Sequence, residues 1–434
     1  NLKMQGGKSV LCIWGRRECD KIRYFRYKKA PITSKIFDLY IYQERKVFEM
    51  TRKRILVLCI AFSMIFATVP AFAFSADISS RTPFEDNLEN DSEGTTEAKV
   101  LDKAKQWLQE NYGEFYEIRN VEAEIIKQTD SMRTTRYTVS LSCETKYKYE
   151  SVDEIPFVRG IMNAEKSRAL NVTQKDVLQQ KIKQIEADAS FGDYTELCVD
   201  VIIEVDTADT SKPWKMYYQD GMDTMLRDID VLKLDEQELY DSGIQTANQM
   251  IANAENAVTS QTTRGYASYD RFAARDYARN YSSNATKCDV DGTSCGILQN
   301  KAKWNTSEYP YFSLFKHNDC ADFVSQAMSE GGIPEKSGWY RTKKGASGTW
   351  TNSWTTVAGL KTYMTRSDHV YWDTGTFSSC NAGNILITNS GGHVVMVDFN
   401  DGTTHKFTGH TNDRKSYVFG NVSGYQYYII NRSS

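Results

Sequence analysis

A chain of 434 residues, 40% hydrophobic and 25% charged, can bury more than one core, which excludes wholesale disorder. The net charge of −3 hides a gradient: residues 1–73 carry 15 Lys/Arg and 5 Asp/Glu, residues 74–263 carry 20 and 37, and residues 264–434 carry 18 and 14. No stretch has the basic face of a nucleic-acid binder, so no nucleic-acid partner is expected. An acidic segment beside a mildly basic one fits either steering towards anionic polymers or two solvated surfaces.

Met50-Thr51-Arg52-Lys53-Arg54 followed by ILVLCIAFSMIFATVPAFA reads as a signal peptide over 50–73, with a basic start, an apolar run and an Ala-x-Ala end at Ala71–Ala73. Removal of that peptide leaves no stable membrane insertion, and secretion to the extracellular or cell-wall side is the expectation. Residues 1–49 precede this signal and read as a gene-model extension, with translation starting at Met50. Polar residues 74–93 read as a linker. Val100, Ala104, Trp107 and Leu108 predict a helix over about 96–112. Strands are expected around 118–127, 135–149, 195–205 and 214–218, and helices over 165–188 and 235–257. These make a separate α+β accessory domain over 94–260, with no His and no catalytic constellation. The polar tract Thr259–Gly265 predicts a linker to a second domain over 264–434.

All five His lie in that second domain. In Asn318-Asp319-Cys320-Ala321-Asp322, followed by Phe323, Val324, Ala327 and Met328 at helical spacing, Cys320 is expected in the first helical turn. There the helix dipole favours thiolate, and the Cys320 N–H is left for an oxyanion. Gly391-Gly392-His393-Val394-Val395-Met396-Val397 reads as a strand that His393 opens, its ring on the face of Val395, Val397 and Phe399. A Cys at a helix start and a His at a later strand start can form a nucleophile–base pair. Asn400-Asp401-Gly402 predicts a hairpin. The next strand ends at His410, a candidate to orient His393, with Asn412 as competitor. His317 reads as a loop residue, and His369 and His405 as surface residues. Cys288 and Cys295 flank an Asp-Gly turn and could close a small loop. The Trp and Tyr between 339 and 372 suit either a substrate groove or a core.

The runs YDRFAARDYARNY (269–281), NDCADFVSQAMSEGGIP (318–334), SGTWTNSWTTVAGLKTYM (347–364), GGHVVMV (391–397) and GHTNDRKSY (409–417) resemble the amidase-domain family of Gram-positive secreted proteins. That family is grouped with papain-like cell-wall hydrolases of the NlpC and CHAP types. The resemblance covers about 266–431. It implies an α+β, papain-like cysteine hydrolase fold, a Cys-bearing helix packed on an antiparallel sheet that bears the His. On it, Cys320 matches the nucleophile, His393 the base and His410 the polar third residue. The chain departs from the family at Asp-Cys-Ala-Asp, where Asp-Cys-Thr-Asn is usual, at Gly383-Asn384, where Gly-Asp is usual, and by an insertion over 284–305. The implied activity is thiol-dependent amide hydrolysis on peptidoglycan or peptide substrate, with Tyr269 as a candidate second oxyanion donor and neither metal nor cofactor. A cysteine peptidase or acyltransferase, or an inactive wall-binding module, are the alternatives.

Overall fold

The computed structural model describes residues 95–430 except 210, 223–224, 259–268, 290–297, 311–317, 343–348, 367–370 and 389–390. The expectations for residues 1–93, for the 259–265 linker, and for Cys295, His317 and His369 lie outside the described residues. No helix among the described residues is long and apolar enough to cross a membrane.

Helix α1 (Thr96–Tyr112) begins where the Thr95 hydroxyl accepts the Ala98 N–H. Its stripe of Val100, Ala104, Leu108 and Tyr112 packs on the hairpin of β1 (Tyr116–Asp130) and β2 (Thr134–Tyr147). Tyr137, Val139, Leu141 and Cys143 alternate inward along β2, as the pattern predicts. The single helix expected over 165–188 is instead two, α2 (Pro156–Lys166) and α3 (Val172–Ala189). Pro156 suits the first turn of α2. A reciprocal box between Asn171 and Gln174 starts α3 afresh. Strands β3 (Thr195–Asp206), β4 (Lys215–Tyr218) and β5 (Arg227–Asp228) follow, then α4 (Glu236–Val258). Helices α2 and α4 cross closely: a Cβ on Gly160 would meet the Tyr240 carbonyl at 2.1 Å.

The C-terminal part holds helices α5 (Arg271–Asn280), α6 (Cys320–Glu330), α7 (Asn352–Thr355) and α8 (Val357–Met364). Its strands are β6 (Trp372–Gly375), β7 (Ile385–Thr388), β8 (Val394–Asn400), β9 (His405–Gly409), β10 (Arg414–Val418) and β11 (Tyr425–Ile430). The order β10-β9-β8-β7-β11-β6 is antiparallel throughout. Phe323, Val324, Ala327 and Met328 of α6 share a core with Val394, Met396, Ile385 and Ile387, while Val395, Val397 and Leu386 belong to a second core with Cys198 and Cys380. Trp339, Trp354, Trp372, Tyr363 and Tyr371 fill the α6 core, so the aromatic concentration serves packing.

The accessory region was expected as a separate domain. Instead β3 pairs in parallel with β10 at Cys198 and Tyr417, and one sheet runs through both parts within a single compact unit, Asp91–Ser434. The junction is buried and polar: Asp200 accepts bonds from Tyr417 (2.9 Å) and Arg414 (2.9 Å). The β8–β9 turn inserts into the N-terminal part, where Tyr116 donates to Asp401 (2.8 Å) and Tyr147 to Thr403 (2.6 Å). Gly402 takes φ +85° against Ile155, Phe157 and Ile185, a conformation and a gap that favour glycine. His405, expected at the surface, is buried with its ring 3.8 Å from that of Phe377. Burial, with Lys181 nearby, pushes its pKa down to about 3.

Candidate active site

Cys320 is the first residue of α6 and Asp319 occupies the N-cap position. The Asp319 side chain makes no cap bond to the helix. Its carboxylate turns instead to the loop after β9. There Asp319 Oδ2 lies 2.8 Å from His410 Nδ1, and Oδ1 accepts from the Thr411 hydroxyl at 3.3 Å. Thr411 Oγ1 in turn accepts the N–H groups of Asp319 (2.9 Å) and Cys320 (3.2 Å). The Cys320 N–H, expected to be open for an oxyanion, is therefore engaged by a hydroxyl.

The thiol sits at the helix–sheet interface, 6% exposed. Burial pushes its pKa up to about 11, and the Asp319 charge adds to that. Against this act donors from the backbone N–H groups of Val394 and Ala321 and from Thr411. The balance is opposite in direction to the thiolate expected at the helix start, because burial favours the neutral thiol.

Cys320 packs in one core with Val394, the residue after His393. The chain segments thus meet as expected, helix start against strand start. The imidazole does not bond the thiol: among the described residues the His393 ring has no hydrogen-bond partner, while its backbone carbonyl accepts from Thr388 N–H (3.1 Å). Val394 and Met396 face α6, whereas Val395 and Val397, the residues expected to share the His393 face, lie in the other core. Burial lowers the His393 pKa to about 4, so at neutral pH it is an uncharged base.

His410 does not orient His393. Its Nδ1 is on Asp319 and its Nε2 lies 2.7 Å from the Tyr281 carbonyl, so both ring nitrogens are committed. The ring is sandwiched between Phe323, 3.7 Å away, and Trp304, 4.9 Å away, nearly parallel to both. Burial alone would lower its pKa, but Asp319 and Asp413 raise it to about 9. His410 is an imidazolium at neutral pH, stabilised by a carboxylate and two aromatic faces. Asn412, the competitor, accepts the Leu298 N–H (3.1 Å) and donates to Gly221 O (3.2 Å). The Tyr269 hydroxyl, a candidate oxyanion donor, donates to Gly383 O (2.7 Å) near the far end of α6.

Two residues around this helix start had no expected role. Thr411 links Asp319 and Cys320 to the β9 loop, at φ +62°. Asp413 accepts from Asn300 N–H (2.9 Å) and Trp304 Nε1 (3.0 Å), fastening the insertion at 284–305 over His410. The sequence signal for this set is the run His410-Thr411-Asn412-Asp413, where Asn412 suits left-handed backbone and the β-branched Thr411 adopts it against its preference. Among the described residues no three His, Cys, Asp or Glu side chains converge as a metal site. Cys143, Cys198, Cys320 and Cys380 are free thiols.

The arrangement brings together a thiol at a helix start, an uncharged imidazole on the residue before Val394, and a buried ion pair between Asp319 and His410 at that helix start. Residues 268–430, which hold all three, match the family model described as "Putative amidase domain". This match supports a hydrolase acting on C–N bonds. No curated protein and no solved structure matches the chain.

Proposed function

We propose that the chain is a secreted, thiol-dependent amide hydrolase acting on peptide or amide bonds of the bacterial cell wall. The carrying observation is the placement of Cys320 as the first residue of α6, packed in one core with Val394, the residue after His393, within a region similar to an amidase domain. His393, uncharged at neutral pH, takes the Sγ proton as substrate seats. The thiolate adds to the amide carbonyl, the C–N bond breaks, and the amine leaves with the proton from His393. Water then cleaves the thioester, returning the thiol and a carboxylate. Asp319, His410 and Thr411 position the nucleophile, and no step needs a metal.

The test compares residues 74–434 with the Cys320→Ala variant on purified Gram-positive peptidoglycan under reducing conditions, reading new amines and carboxylates by mass spectrometry. Release by the unaltered chain alone supports the reading and identifies the bond. Equal release by both removes Cys320 as nucleophile. The buried thiol, with no imidazole bonded to it, gives one specific ground for a second reading, a wall-binding module. Wall binding without release by either protein would favour it.

A further inference from the structure

Away from the thiol site, the described residues form a cleft of about 570 Å³, ordinary for a small-molecule site. It lies where one face of α3 and one face of α4 approach the edge formed by β6 and β11. Tyr269, which lines it, packs where a Cβ on Gly331, just past the end of α6, would stand. Cys320 opens the same helix, so the cleft is a full helix length away, about 16 Å at 1.5 Å per residue.

The walls are rich in amides and hydroxyls: Gln184, Gln249, Asn253, Thr246, Thr374 and Asn381. Two cations line them, Arg271 and Lys181. Arg271 is paired with Asp188 at 2.8 Å. Lys181 is 2% exposed and has no carboxylate in contact among the described residues; its Nζ donates to Asn381 Oδ1 at 2.6 Å. An ammonium carries three donors, so a buried one with a single neutral acceptor is under-satisfied.

We propose that this cleft binds a small carboxylate-bearing ligand, such as a peptide C-terminus, whose carboxylate docks on Lys181. The charge balance selects the class: Lys181 and Arg271 against Asp188 leave one positive charge, which a monoanion neutralises and a phosphate dianion would overrun. The flanking amides suit the polar groups next to such a carboxylate. Burial lowers the Lys181 pKa to about 7, with Cys380 and Asp188 raising it and Arg271 lowering it, and His405 lies nearby. A bound carboxylate stabilises the ammonium, so binding takes up a proton in the range above pH 7.

Titration calorimetry of residues 74–434 with N-acetylglycine, N-acetylglycinamide and inorganic phosphate tests this. N-acetylglycine should bind, the amide about tenfold or more weakly, and the heat should vary with buffer ionisation enthalpy, reporting proton uptake. Lys181→Met should lose binding by the same factor without a lower melting temperature, because it removes an under-satisfied charge. Asn381→Asp, which supplies an internal carboxylate to Lys181, should also abolish binding and guards against a folding defect in the first variant. Unchanged binding in both variants, no binding of N-acetylglycine, or tighter binding of phosphate each overturns the proposal. Cys320→Ala should bind N-acetylglycine normally, so a failure of the hydrolase reading and a failure of this one are separable.

Discussion

His410 and Asp319 meet at 2.8 Å beside Cys320, an imidazolium and a carboxylate both about 4% exposed. The residue expected to tune the base therefore anchors the helix that carries the thiol. Removing one partner strands the other charge in the core, so Asp319→Asn should cost about 3–5 kcal/mol in denaturant unfolding. The NMR titration midpoint of His410 should fall from about 9. An unmoved midpoint would show that Asp319 does not set it.

The same pair predicts an alkaline limb of stability. A His raised to about 9 contributes fully below its unfolded value of about 6.5 and loses that contribution as pH rises through about 9. Melting temperature should decline over that window, and His410→Gln should flatten the decline.

For His393 the sign reverses. Its pKa is depressed to about 4, so its contribution is present above about 6.5 and is lost as pH falls through about 4. Under the proposed mechanism the acid limb of kcat/KM should lie near 4, and His393→Ala should lower kcat by about 100-fold or more. A limb near the ordinary histidine value would mean that another imidazole, or an opened site, supplies the base.

Alkylation gives a direct reading of Cys320. The iodoacetamide rate at this thiol, resolved by peptide mass spectrometry, should be slow at neutral pH and climb towards about 11. Fast labelling that levels off below pH 7 would reveal a preformed thiolate.

Breaking the junction should damage the whole unit. Asp200→Asn leaves Arg414 buried and unpaired, at an expected cost of about 3–5 kcal/mol. Deleting residues 74–263 removes the partners of Asp401, Thr403, Lys406 and Arg414. The remainder should precipitate or lose near-UV circular dichroism. A folded fragment would show that the C-terminal part does not need the junction.

Local pattern carried much of this structure. The apolar stripe of α1 and its Thr95 cap, the alternation along β2 and the apolar stripe of α6 follow from side-chain period and local sequence, which neighbouring residues encode. The Asn400–Gly402 turn was legible for the same reason. Its burial was not, because Tyr116 and Tyr147 reach it across some 250 to 290 positions of chain. Spacing likewise could not choose among Asp319, Tyr281 and His393 as partners for His410. That choice belongs to tertiary contact, as does the competition between dipole and desolvation at Cys320.

The Asp200–Tyr417 bond joins residues 217 apart in the chain. During synthesis the first part leaves the ribosome with β3 uncovered around Cys198, beyond its pairing with β4, and with the socket for Gly402 empty, and it stays so until the last strands emerge. Closing so long a loop is slow relative to local folding. A permuted gene that places β9 and β10 before β3 would shorten that interval.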